Sequence, residues 1–197
     1  MDSPKLLMDA TKRYYAGYSG ELPTWRAESW PDWFEVRDKV EPESEAVWLS
    51  DFAAEDCVKW AKENAGIVWY GHRSFGARVA KLGNLSFFGA GTDASLQILQ
   101  ESGKRSIVAS IKAHGTGKNL QVFNQNLIAN PPSDGGAWEQ LLGRTHRFGQ
   151  TKDVTTYVYR HTPELKDCIS NAESYANYTY GITGQAQKLL YANKEWQ

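Results

Sequence analysis

Five short strand-like runs, most of them separated by stretches with helical spacing, constrain this chain more than any other feature. The runs cover residues 67–70, 85–88, 107–111, 127–129 and 154–159. Each is too short for a helix; 67–70 is an apolar run suited to a buried strand, and 107–111 is β-branched and closely bounded. Before the first run, residues 52–64 place Ala53, Cys57, Trp60 and Ala61 at i, i+4, i+7 and i+8, with Ser50 able to cap the start. Residues 75–82 and 93–100 read as short helices, the second begun by Thr92 or Asp93. Residues 137–147 read as a further helix, and 164–190 as a terminal helical stretch broken near Gly181 and Gly184. Strand–helix–strand repetition of this kind folds through right-handed crossovers into a parallel sheet with helices on both sides. In such sheets ligands bind beyond the carboxyl ends of the strands, so function is expected in the loops after residues 111, 129 and 159.

The first 45 residues read differently. They hold Tyr14, Tyr15, Tyr18, Trp25, Trp30 and Trp33 among many charges, with Pro23, Pro31 and Pro42 as breakers. They predict a short helix near 3–15 and then an irregular, aromatic-rich extension packed on a body formed by residues 46–197. Packing is the plain use of these rings; stacking on nucleic-acid bases is the sharper one. Charge divides similarly. Residues 1–66 carry 14 acidic and 8 basic side chains, residues 67–197 carry 9 and 14, and the net charge of −1 hides the contrast. The basic second part is suited to facing phosphates.

Two cysteines without a CxxC spacing, Cys57 and Cys168, exclude a disulfide framework and argue against structural zinc. Both thiols are expected to be reduced and buried. His72, His114, His146 and His161 come from four separate segments, and no metal site is expected from them. No run approaches the roughly 20 apolar residues of a membrane span, and the amino terminus does not read as a signal peptide. A soluble, cytoplasmic protein with no membrane partner is expected.

The segment richest in chemistry is residues 138–150. On a helical wheel Trp138, Leu141, Leu142 and Thr145 share one face, and Gln140, Arg144 and Arg147 share the other. One face anchors to a core, while the other presents a carboxamide and two guanidinium groups, which are permanently charged and bidentate toward phosphate oxygens. Gly143 lets another surface come close. Periodicity alone is equally met by the solvated face of an ordinary amphipathic helix. The residue string narrows the choice. Gln140, Gly143, Arg144, His146, Arg147, Gly149 and Gln150 occupy every fixed position of QxxGRxHRxGQ, and the segment resembles motif VI of Swi/Snf-type superfamily 2 helicases. Upstream, Ala113, Gly115, Gly117, Asn119 and Leu120 resemble motif V, with His114 in place of a usual glycine and Lys118 where a small or apolar residue is common. Residues 67–72 stand in the place of motif IV, and residues 154–160 resemble the strand that follows motif VI. The resemblance spans about residues 50–165.

That resemblance implies a three-layer α/β/α RecA-like domain with a mostly parallel sheet: the second lobe of an ATP-dependent DNA helicase or translocase. By it, Arg144 and Arg147 are arginine fingers toward ATP bound with Mg2+ on a first lobe. Gln140, Gly143, Gly115 and Gly117 support the nucleotide cleft. His146 has a structural or coupling role. Lys112, Lys118, Asn119 and Lys152 contact the DNA backbone without reading sequence.

The first lobe's parts are not in this sequence. Residues 115–119 superficially suggest a Walker A loop, but that pattern needs glycine at 112 and serine or threonine at 119, where the chain has Lys112 and Asn119. No DExH-type acidic motif follows a strand. Phosphoryl transfer needs both parts, so the lone lobe is expected to be inactive and to work with a first lobe in cis or in trans. Two alternatives stay open. One is a non-enzymatic protein- or nucleic-acid-binding module derived from a helicase lobe. The other is a self-contained nucleotide-binding enzyme on an unrelated α/β fold, against which the motif order speaks.

Overall fold

A computed structural model gives the fold and describes residues 4–17, 28–37, 39 and 47–195. The chain divides into two compact units, Met1–Val47 and Trp48–Gln197. In the first unit, helix α1 (Pro4–Tyr15) covers the predicted short helix. The segment expected to be irregular holds a second helix, α2 (Trp30–Val36). Pro31 does not break it, because a proline in the first turn gives up an N–H that has no helical partner. Trp30 is buried, its ring 5.0 Å from Trp33 and 6.2 Å from Phe34, with the Lys12 ammonium 5.9 Å from its centre. Trp33, Phe34, Tyr14 and Tyr15 are exposed. Tyr18, Pro23, Trp25 and Pro42 lie outside the described residues.

The second unit carries the sheet. Its strands are β1 (Ile67–Tyr70), β2 (Ser86–Phe88), β3 (Ile107–Ser110), β4 (Gln125–Ile128) and β5 (Thr155–Val158). All pairings are parallel, in the order β2-β3-β1-β4-β5. The helices are α3 (Phe52–Glu63), α4 (Arg73–Gly83), α5 (Thr92–Gln97) with a 3-10 turn at Ile98–Gln100, α6 (Ile111–His114), α7 (Gly135–Leu142), α8 (Pro163–Thr183) and α9 (Lys188–Tyr191). Strand alternation sorts the core into two layers. Ile67, Trp69, Ile107, Ala109 and Ile128 point toward Ile98, Phe123, Trp138, Leu141, Ile169 and Leu189. Val68, Tyr70, Val108 and Leu127 point the other way, toward Ala54, Cys57, Val58, Val79 and Ala80 of α3 and α4. These two covered faces make the expected three layers.

Three predicted elements shift, each for a physical reason. Strand β4 begins at Gln125, before the apolar run, because buried Asn126 finds partners there: its carbonyl accepts from the Trp69 indole at 3.0 Å, and its amide donates to Thr145 Oγ1 at 2.9 Å and Thr156 Oγ1 at 3.4 Å. A polar residue so satisfied belongs in a core strand despite its type. Helix α8 runs straight through Gly181 and stops at Gly184, whose φ of +67° is the left-handed conformation that ends helices. The helix predicted over 137–147 ends at Leu142, which bears directly on the arginines. Among the cysteines, Cys57 is buried, but Cys168 is only half-buried.

Candidate functional site

Helix α7 is fixed at both ends. Asp134 caps it, its carboxylate accepting from the Ala137 N–H at 2.7 Å. Trp138 is buried in the core and donates its indole N–H to the Pro132 carbonyl at 2.7 Å. Past Leu142 the helix gives way to tighter turns, with Arg144 N–H on the Leu141 carbonyl at 3.1 Å. The tightening draws Thr145 inward to Asn126, fully buried. Gln150 then staples the segment, its amide donating to the carbonyls of Gln121, Phe123 and Thr145. The apolar face of the wheel is therefore inward as expected, although the regular helix stops short of it.

The polar face is not as expected. Arg144 and Arg147 do not stand side by side on one helix. Arg144 is 8% exposed, and its guanidinium is occupied: Nε donates to Gln140 O at 2.8 Å, Nη1 to Lys118 O at 2.9 Å, and Nη2 to Gln140 Oε1 at 3.2 Å. Burial, and secondly the charge of Arg147, lower its pKa. Arg147 is exposed, and its side chain makes no hydrogen bond or ion pair among the described residues. One arginine ties the two motif segments together, while the other is free to reach.

The two segments are joined elsewhere as well. Leu120 N–H donates to Arg144 O at 3.0 Å, and the Gln121 amide donates to Arg147 O at 3.2 Å and to Phe148 O. Gly117 has φ +74°, which favours glycine, and a Cβ on Gly115 would lie 2.4 Å from Ile111 O. Gly143 caps α7, and a Cβ there would press on Glu139 O at 3.1 Å.

An open groove of about 470 Å3 lies over these residues, lined by Glu139, Gln140, Gly143, Arg144, His146, Arg147, Phe148 and Lys188. His146, Arg147 and Phe148 are exposed, Phe148 completely. Lys188 and Phe148 were not signalled by the sequence: the first lies far outside the motif strings, the second at a variable position within one. The groove lies at the other end of the sheet from the strand ends where function was expected. Since α7 leaves the carboxyl end of β4 and the chain must return to begin the parallel strand β5, residues 143–154 sit at the amino ends of β4 and β5.

The carboxyl rim is bound up in itself. His114, fully buried, holds the Gly89 carbonyl at 2.7 Å through Nε2, and its Nδ1 has no partner. Burial lowers its pKa, favouring the neutral ring. Gly71 N–H donates to Asn130 Oδ1 at 3.1 Å. The Lys118 ammonium donates to Ser95 Oγ at 3.2 Å and Ala113 O at 3.4 Å. Lys112 on α6 and Lys152 before β5 are exposed, as is Asn119, whose Oδ1 accepts from Gln121 N–H. Four residues named together from the motifs thus lie in different settings. Beyond β5, Tyr159 donates to Asp56 and accepts from Cys57, a cluster with no motif to announce it. Cys57 is fully buried, and burial pushes its thiol up to about 11.

No family model and no curated protein matches this chain. Solved structures do. The C-terminal part of the Fun30 ATPase domain is similar with a TM-score of 0.52 and 17% identity, over 85% of this chain. The fold is RecA-like. The match covers 63% of the Fun30 chain, so this chain spans less than two thirds of that structure. T4 UvsW is similar over 64% of this chain and 32% of its own, with a TM-score of 0.47 and 16% identity. The RecA-like fold implied by the motif strings is the fold found. Among the described residues no helix is long and apolar enough to cross a membrane.

Proposed function

We propose that this chain is the second lobe of an ATP-dependent DNA translocase or helicase, completing a nucleotide site held by a first lobe. The observation that carries this reading is the division of labour in the motif VI segment. Arg144 is locked to Gln140 and the Lys118 carbonyl, and this lock holds the adjacent turn so that Arg147 projects unpaired into an open groove. An unpaired guanidinium carried on a fixed turn can neutralise charge developing on a transferred phosphoryl group. The groove's cationic and amide donors fit phosphate oxygens and not a metal ion, so Mg2+ would come with the nucleotide on the other lobe. A residue that completes a partner's site must lie on the face that meets the partner, which places no demand on its own sheet's carboxyl rim. Phe148, fully exposed beside Arg147, suits a surface that a partner covers. DNA-backbone contact falls to Lys112, Asn119 and Lys152. Lys118, already bound to two internal acceptors, contributes mainly to the shape of the loop.

The test is reconstitution. The chain alone should turn over ATP negligibly, and mixing it with a cognate first lobe should restore DNA-stimulated hydrolysis. Arg147→Ala should then lower turnover by about 10³-fold or more. Unchanged turnover in that variant would remove the basis of the proposal. A second reading, a non-enzymatic module derived from a helicase lobe, is favoured by one observation: His114 and Lys118 fill the motif V loop with internal bonds. Failure to restore turnover, with retained binding to DNA or to a first lobe, would select it.

A further inference from the structure

We infer that Lys188, the first residue of α9, is a second phosphate-binding cation of the arginine groove beside Arg147, held in reserve by Glu139. The inference rests on the groove reading above and extends it to a residue outside both motif segments. Lys188 lines the groove together with Arg144 and Arg147. Its ammonium is paired with Glu139 Oε1, and its backbone N–H donates to Glu139 Oε2 at 2.6 Å. The two oxygens of one carboxylate therefore do different work. One anchors the start of α9 to α7, and the other neutralises a cation. Both side chains are partly exposed, at 24% for Lys188 and 30% for Glu139, so the ammonium can leave its partner without a desolvated intermediate state. Lys Nζ on a flexible four-carbon stem suits such an exchange, whereas Arg144, with three internal bonds, cannot move without breaking them.

The charge arrangement supports the direction of the exchange. Groove-lining Glu139 is the one carboxylate among Arg144, Arg147 and Lys188. An incoming triphosphate brings several negative charges and outcompetes a single carboxylate for the ammonium, while the backbone bond from Lys188 to Glu139 keeps α9 docked. The ligand class is thus a triphosphate chain, with Arg147 approaching it from the turn after α7 and Lys188 from the start of α9.

Titration of the whole chain with inorganic tripolyphosphate by calorimetry tests this, with a short DNA duplex as a parallel arm. Lys188→Met should weaken tripolyphosphate binding about tenfold, as expected for loss of one charge-assisted contact, and Lys188→Arg should restore it. Glu139→Gln retains an acceptor for the Lys188 N–H and removes the competing charge, so it should tighten binding several-fold. A purely structural pair would show the opposite for Glu139→Gln, a loss of melting temperature with no gain in affinity. Unaltered affinity in Lys188→Met, or weaker binding in Glu139→Gln, overturns the inference. If Arg147→Ala still weakens binding in that case, the groove reading survives it. Absence of tripolyphosphate binding by the unmodified chain overturns the inference alone, because the turnover assay of Arg147 does not depend on it. A Lys188→Met effect confined to the duplex arm would assign the lysine to nucleic-acid phosphates and overturn the triphosphate claim.

Discussion

The two rims of the sheet are built on opposite principles. At the carboxyl rim, loops are bonded to one another: His114 to Gly89 and Asn130 to Gly71. At the amino rim of β4 and β5, similar internal bonds stop short of covering the surface. Arg144, Gln121 and Gln150 fasten the motif segments together from beneath, and Arg147, His146 and Phe148 remain exposed above them. The contrast teaches how one parallel sheet can hold polar side chains in two roles. A buried polar group bonded to a neighbouring loop fixes geometry, and an exposed charge on such a fixed base is available to a second molecule. Within the motif VI segment both roles occur three residues apart.

Three measurements would break or sharpen this comparison. The largest effect on stability is expected at the closed rim. His114→Ala removes a fully buried ring and orphans the Gly89 carbonyl, and should cost about 2–4 kcal/mol in chemical denaturation. A loss below roughly 1 kcal/mol would mean that the rim is not held by this residue. At the amino rim the two arginines should separate. Arg144→Ala leaves the Lys118 and Gln140 carbonyls unpaired and should cost about 1–3 kcal/mol, while Arg147→Ala should stay within about 0.5 kcal/mol. Equal losses would erase the distinction between a fastening arginine and a reaching one.

The smallest effect concerns pH. Burial depresses the folded pKa of His114 below its ordinary 6.5, so in the window below that value the unfolded chain binds a proton that the folded chain does not. Stability then falls as pH drops from about 6.5, by at most about 1.4 kcal/mol per pH unit, and the fall ends at the depressed folded value. His114→Gln should flatten this part of the profile. The same slope in wild type and variant would show that another group is responsible.

Much of this was legible in the residues. The strand-like runs located all five strands, most directly β1 and β3, because a strand covered on both faces is apolar at successive positions; β5, an edge strand with two threonines, is not so covered. The motif strings carried the arginines because those positions bear both charge and packing constraints. Asn126 was not legible: an asparagine in a strand is disfavoured until Trp69, Thr145 and Thr156 are seen around it. Nor was Lys188, which lies at the groove with α9 packed against α7 through Leu189 and bonded to Glu139. The helical wheel erred where it assumed regular helix past Leu142, since the pull of Thr145 toward Asn126 is a long-range bond that periodicity does not contain.

By itself the sequence determined the layered α/β class, the order of its elements and the presence of two guanidinium groups in one motif segment, because hydrophobic periodicity and residue identity are local properties. Only tertiary structure decided which arginine is sequestered and which is exposed, which rim of the sheet is open, and that a lysine from the last helix joins the groove. Those outcomes depend on hydrogen-bond partners that are distant in the chain, and a side chain's exposure follows from where such partners lie, not from its own type.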